Sequence, residues 1–176
     1  KVMDQVERIY APIVQAKGGE LVVERAWEDS TVNAYARQSG NKFIIHMYGG
    51  LARHESITQD GMALVACHEM GHHIGGAPKY GGMDWASNEG QADYFANLKC
   101  LRLVFAASGA QSFTRPSIDD AQPRAACAQS FSAPAEQDVS SQGSASACGA
   151  RSHIERDQTK QLQKFSVSIW RGRCCN

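Results

Sequence analysis

Cys67-His68-Glu69-Met70-Gly71-His72-His73-Ile74-Gly75-Gly76-Ala77-Pro78 is the stretch from which the fold is read. Residues four apart on an α-helix share a face, so His68 and His72 can direct their imidazoles at one Zn²⁺ ion. Glu69 is rotated by about 100° from His68. It can lean over a water at that ion without ligating it, which is the position of a general base. The stretch therefore predicts a helix, and it requires a third ligand and a cleft from the rest of the chain.

The helix is supported on both sides. Thr58-Gln59-Asp60 has cap chemistry, with a carboxylate near the positive end of the helix dipole. Met62, Val65, Ala66, Met70 and Ile74 carry an apolar face, and Gly75-Gly76 before Pro78 ends the helix. Downstream, Ser87-Asn88 can cap a second long helix running to about Ser108-Gly109. Glu89 and Asp93 lie four apart near its start and face the same side. Glu89 has the longer reach and follows the loop returning from His72, so it is expected as the third metal ligand. Asp93, one turn deeper, is expected to hold the far nitrogen of a ligand histidine and fix its tautomer.

Upstream, Val2, Val6, Ile9, Tyr10, Ile13 and Val14 have helical spacing over residues 1–17, with Pro12 a possible kink and Gly18-Gly19 the end. Residues 20–27, 31–37 and 42–48 read as strands. The last two are joined by Gln38-Ser39-Gly40-Asn41, which predicts a hairpin. Leu51 to Ser56 allows one or two helical turns. After Gly109 the composition shifts to Ala, Ser, Gln and Pro. One domain is expected, with a core over residues 1–109 and a loop-rich extension over 110–176. Short helices are expected within 119–130 and over 151–166. The fold class expected is α+β, a small antiparallel or mixed sheet packed on the helix of His68 and the helix of Glu89.

The chain has 176 residues, 43% hydrophobic and 20% charged, with 18 basic and 18 acidic side chains. That balance suits a soluble globular domain with a real core. It lacks the basic block expected of a nucleic-acid partner. No run of about 18 apolar residues is present, so no transmembrane segment is expected. Six cysteines without a CxxC pair favour disulfides and an exported, periplasmic or extracellular protein. The chain begins at Lys1 without a signal-like segment, and a mature form or an excised fragment is expected. A Cys67–Cys100 bridge would tie the two ligand-bearing helices, but six cysteines allow fifteen pairings and the alternatives stay open.

His68-Glu69-x-x-His72 followed by Glu89-x-x-x-Asp93 resembles the gluzincin clan of zinc peptidases. More narrowly, Glu89-Gly-Gln-Ala92-Asp93-Tyr-Phe95-Ala96 is similar to the Glu-x-x-Ala-Asp-x-Phe-Ala signature of peptidase family M forty-eight, the prenyl-protein endopeptidases and quality-control peptidases. Val32-Asn33-Ala34-Tyr35-Ala36, Gly40, Ile44-Ile45 and Gly50-Leu51 resemble that family's Asn-Ala-Phe stretch and the strand entering Gly-Leu-Leu. The likeness covers roughly residues 30 to 100, and the membrane helices of many members are absent.

The resemblance implies a zincin-like fold and a zinc-dependent endopeptidase. Zn²⁺ would be held by His68, His72 and Glu89, with Glu69 as catalytic base and a peptide or protein as substrate. It also implies that Phe43 to Met47 is an edge strand whose free backbone groups, at Ile44 and Ile45, pair with an extended peptide near Asn33 and Ala34. Among Arg151, His153 and Arg156, His153 is the candidate to stabilise the oxyanion, against the plainer reading of a solvated helix face. His73 is expected to face away from the metal, and His46 to be a surface residue. Two rival functions remain: a zinc-binding module without catalysis, and a zinc amidase acting on cell-wall peptides.

Overall fold

The Thr58 hydroxyl accepts the Gly61 N–H at 3.0 Å and so starts α3 (Gln59–Ile74), in a computed structural model of the chain. The structure describes residues 1–55 and 57–108, with positions 125, 128, 129 and 132–134 beyond them. The extension expected over 110–176, its helices and the candidates Arg151, His153 and Arg156 otherwise lie outside the described residues.

Before α3 come α1 (Val2–Gln15), the strands β1 (Glu20–Ala26), β2 (Ala34–Ser39) and β3 (Lys42–Tyr48), and the short α2 (Gly49–Arg53). After it come α4 (Glu89–Phe95), a π-helical turn at Ala96–Cys100, and α5 (Leu101–Ala107). The protein is α+β, with a three-stranded mixed sheet in the order β1-β3-β2. Among the described residues no helix is long and apolar enough to cross a membrane.

The hairpin forms as expected: β2 and β3 run antiparallel from Ser39↔Lys42 to Ala34↔Met47 around Gly40-Asn41, and Gly40 takes the positive φ of 59° that a tight turn demands. The edge position expected for Phe43 to Met47 is corrected by the sheet order. β1 pairs with β3 in parallel, Leu21 opposite Phe43 and Val23 opposite Ile45, so β3 is the central strand. Composition gives the reason. Phe43-Ile44-Ile45-His46-Met47 is the most apolar of the three runs and is buried at Ile44, Ile45 and Met47, as a central strand should be. Ala34-Tyr35-Ala36-Arg37-Gln38-Ser39 is shorter and more polar, which suits the edge.

α1 lays Val2, Val6, Tyr10 and Val14 on the core at four-residue intervals, and Pro12 sits inside its last turn without ending it. Tyr10 meets Phe95 with ring centroids 5.9 Å apart. Around them Ile45, Leu51, Met70, Leu101, Val104 and Phe105 are fully buried, each contributing about 1.5–3 kcal/mol relative to exposure.

The second long helix begins as expected at Asn88, whose side chain accepts the Gln91 N–H at 3.0 Å. It continues from α4 through the π turn into α5. The π turn ends on Cys100, which is bridged to Cys67 of α3 across 33 residues of chain. A closed loop of that length restricts the unfolded chain by about 3–4 kcal/mol in the entropic account.

Two further contacts fix α3 against α4. The Gln91 side chain donates to the Gly75 carbonyl at the end of α3, at 2.7 Å. Gly71 lies against the Ala92 backbone, where an added Cβ would stand 2.6 Å from the Ala92 oxygen. The methyl group of Gly71→Ala has nowhere to go but between the helices. The substitution is expected to cost about 1–3 kcal/mol of stability and to weaken metal binding, measured by denaturant unfolding and zinc titration. Wild-type values in both would contradict this packing.

Candidate metal centre

His68 and His72 project from one face of α3, their rings 4.7 Å apart and nearly perpendicular. Glu89, the first residue of α4, reaches them from across the helix contact. His68 Nε2 lies 3.1 Å from Glu89 Oε2, and His72 Nε2 lies 3.8 Å from Glu89 Oε1. One donor atom from each of the three falls within 4.8 Å of the others, a group that could hold a metal ion. Tetrahedral zinc with ligands at its usual bond lengths separates its donors by about 3.3 Å, so the three atoms are close to ligand spacing.

The hydrogen bonds of the two imidazoles decide which nitrogens are free for a metal. His72 Nδ1 is 2.8 Å from the Ser87 carbonyl oxygen, which can only accept, so Nδ1 carries the proton and Nε2 keeps its lone pair. His68 Nδ1 is 2.6 Å from Asp93 Oδ1, and a carboxylate there selects the same tautomer. With His68 neutral, both Nε2 atoms therefore present lone pairs on the side where Glu89 stands. The donor set, two imidazole nitrogens and one carboxylate, fits zinc.

The electrostatics also call for a cation. Glu69 and Asp93 are buried, and Glu89 is half-buried. Burial opposes a charge on His68, but its hydrogen bonds to Asp93 and Glu89 prevail and carry it up to about 10. Burial likewise pushes Glu89 up, and the hydrogen bonds from His68 and Tyr80 outweigh it and bring the carboxyl down to about 2. His72 is shifted down by burial and then by the neighbouring His68. Without a metal the site thus takes up a proton on His68 to balance its carboxylates. A divalent ion would take the place of that proton.

Glu69 points into the same cleft. Burial raises it to about 7, against the attraction of His68, and it accepts a hydrogen bond from the Ala36 backbone N–H. The cleft holds about 340 Å³ and is lined by Asn33, Ala34, Tyr35, Ala36, His68, Glu69, His72, Tyr80, Met83, Trp85, Ala86 and Glu89. Asn33 and Ala34 are therefore at the cleft, as expected for substrate contacts. Ile44 and Ile45 are not: both are buried, on a strand paired along both edges.

The edge strand at the cleft is β2. Tyr48 N–H donates to Asn33 O at 3.3 Å, so the odd-numbered residues of β2 exchange bonds with β3, and the peptide groups of Ala34 and Ala36 turn to the open edge.

His73 lies outside the metal group, buried and 3.0 Å from the Ile44 oxygen through Nε2. His46 is more than a surface residue: its Nδ1 is 2.7 Å from Glu24 and its ring stacks on Tyr35 at 4.8 Å. Sequence reasoning missed Tyr80, whose hydroxyl donates to Glu89 Oε1, and the Ser87 carbonyl. Tyr80 stands in a loop without periodicity. A backbone carbonyl leaves no residue-type signal at all.

Comparisons of the chain with models of protein families, with curated proteins and with solved structures gave no match. The protein is expected to bind one zinc ion. Because His68 must lose a proton on binding, affinity should rise by about tenfold per pH unit through the neutral range. Asp93→Asn should weaken binding about 10–100-fold without changing stoichiometry. Competition titration against a chromophoric chelator at several pH values measures both. Affinity independent of pH and of Asp93 would contradict the site.

Proposed function

We propose that the chain is a zinc-dependent endopeptidase with a zincin-like arrangement, as its resemblance to the gluzincins suggests. The observation that carries this reading is the placement of Glu69. A carboxylate serving only as a structural neighbour of a metal needs no exit to a cleft. Glu69 is buried beside the ligand group, accepts the Ala36 N–H of the edge strand β2, and faces the cleft.

Zinc, when bound by His68, His72 and Glu89, supplies a Lewis acid that polarises a carbonyl and acidifies water. The chain's own groups do the rest. Glu69 takes the proton of the attacking water and passes it to the leaving amine. Asp93 and the Ser87 carbonyl hold the two ligand imidazoles in the required tautomer. The outward N–H and carbonyl of Ala34 and the carbonyl of Ala36 can pair with an extended substrate, which lays its backbone along the cleft, while the Ala36 N–H is held by Glu69. This assigns to β2 the role that sequence reasoning expected of β3. The Cys67–Cys100 bridge suits an oxidising compartment, consistent with an exported protein.

Glu69→Gln keeps the shape and hydrogen-bonding capacity of the side chain but cannot take the proton. It is expected to retain zinc and the native fold while losing peptide cleavage by about 100-fold or more, measured on a quenched fluorescent peptide with a chelator control. A variant that binds zinc and cleaves at the wild-type rate would exclude this mechanism. Wild-type protein that binds zinc but cleaves nothing would favour the non-catalytic module.

A further inference from the structure

The connection between α3 and α4 is held in a defined shape. Lys79 and Ser87 form a β-bridge, Tyr80 N–H donates to Ala86 O at 2.9 Å, and Lys79 Nζ donates to Trp85 O at 2.7 Å. A loop tied across its neck in this way presents its tip residues consistently. Tyr80, Met83 and Trp85 of this loop line the cleft together with Ala34 and Ala36 of β2. Tyr80 and Met83 are 36% and 49% exposed, large apolar groups kept in water beside the catalytic carboxylate.

Trp85 is set by a stack that starts in the sheet. Its ring lies 5.1 Å from the ring of His73, and His73 lies 5.1 Å from that of Phe43. The His73 Nε2–H is anchored on the Ile44 carbonyl at 3.0 Å, so the stack is referenced to the central strand. His73 thus links β3 to the cleft wall.

The charges of the cleft narrow what it can take. Among the described residues lining it there is no lysine or arginine, and the carboxylates are Glu69 and Glu89. Lys79, next to Tyr80, is turned to the Trp85 carbonyl, and Arg37, next to Ala36, is paired with Glu24 at 2.7 Å. At the wall of Tyr80, Met83 and Trp85, away from the ligand group, an acidic side chain would meet no lysine or arginine among the described lining residues. A bulky uncharged side chain would cover the exposed wall and lose nothing by leaving water.

We infer that Trp85, with Tyr80 and Met83, forms the specificity pocket, receiving a bulky apolar side chain of an internal peptide segment at a position flanking the scissile bond. His73 is the positioning residue that holds Trp85. This inference rests on the reading of the site as a peptide hydrolase and names its substrate class: extended segments rich in large apolar side chains, cut internally.

The test has two arms. In the first, zinc-loaded wild-type protein digests a mixed peptide library. One position beside the cut should be enriched in Phe, Tyr, Leu and Met and depleted of Asp and Glu. On a peptide pair differing only in Phe or Ala at that position, the Phe peptide should be favoured by about tenfold or more in kcat/KM, chiefly through KM. Trp85→Ala and the surface variant Met83→Ala should each shrink that preference. His73→Ala should shrink it too, whereas His73→Phe, which keeps the stack, should retain it.

In the second arm, calorimetry measures binding of the same two peptides to zinc-loaded Glu69→Gln protein, where the Phe peptide should bind more tightly. Selective binding in the second arm with no cleavage in the first would overturn the hydrolase reading and leave the pocket standing. Cleavage without apolar preference, or a preference unchanged in both Trp85→Ala and Met83→Ala, would overturn the pocket and leave the hydrolase standing.

Discussion

The crossing of α3 and α4 is the constraint on which the site depends, and it turns on the absence of a side chain at Gly71. The Ala92 backbone occupies the space where a Cβ would be, 2.6 Å from that position at its oxygen. Gly71 lies between His68 and His72, and Ala92 lies between Glu89 and Asp93. The point of closest approach is therefore also the centre of the ligand set. Cys67–Cys100 and the Gln91 bond to Gly75 fix the same two helices on either side of that point. Glu89 and Asp93 reach the imidazoles because the backbones are this close, and a wider crossing would leave each carboxylate short of its partner.

That geometry places buried carboxylates around two buried histidines, an arrangement that is costly unless a positive charge accompanies it. Without metal the charge is a proton on His68, favoured by Asp93 and Glu89 over the opposing effect of burial. The same bonds that hold this proton prepare the site for an ion, since Asp93 and the Ser87 carbonyl leave both Nε2 atoms facing Glu89. Glu69 adds its charge to theirs in favouring that proton and also reaches away from the ligand set. It touches the edge strand through Ala36, so the proposed base and the proposed substrate strand are neighbours by construction.

Much of the site was legible because it is written in helical periodicity. The four-residue intervals of His68/His72 and Glu89/Asp93, with caps at Thr58 and Asn88, put each group on a known face of a known helix. The α+β class and the β2–β3 hairpin followed from strand-like runs around Gly40-Asn41. Strand order was not legible, because a strand's own sequence does not name its neighbours. The parallel pairing of β1 with β3 moved Ile44 and Ile45 from the expected edge into the interior. The Cys67–Cys100 pairing could be suggested but not selected among six cysteines. The cleft wall was hidden because Tyr80, Met83 and Trp85 are set by a loop and by the Phe43-His73-Trp85 stack, which no local pattern announces.

The central claim is that His68, His72 and Glu89 ligate one zinc ion and leave a position open. X-ray absorption spectroscopy at the zinc edge of the loaded protein tests it most directly. The expected spectrum shows two imidazole nitrogens at about 2.0–2.1 Å and light oxygen donors at about 2.0–2.2 Å, four-coordinate and without sulfur. A sulfur shell at about 2.3 Å, or a full set of four protein ligands, would contradict it.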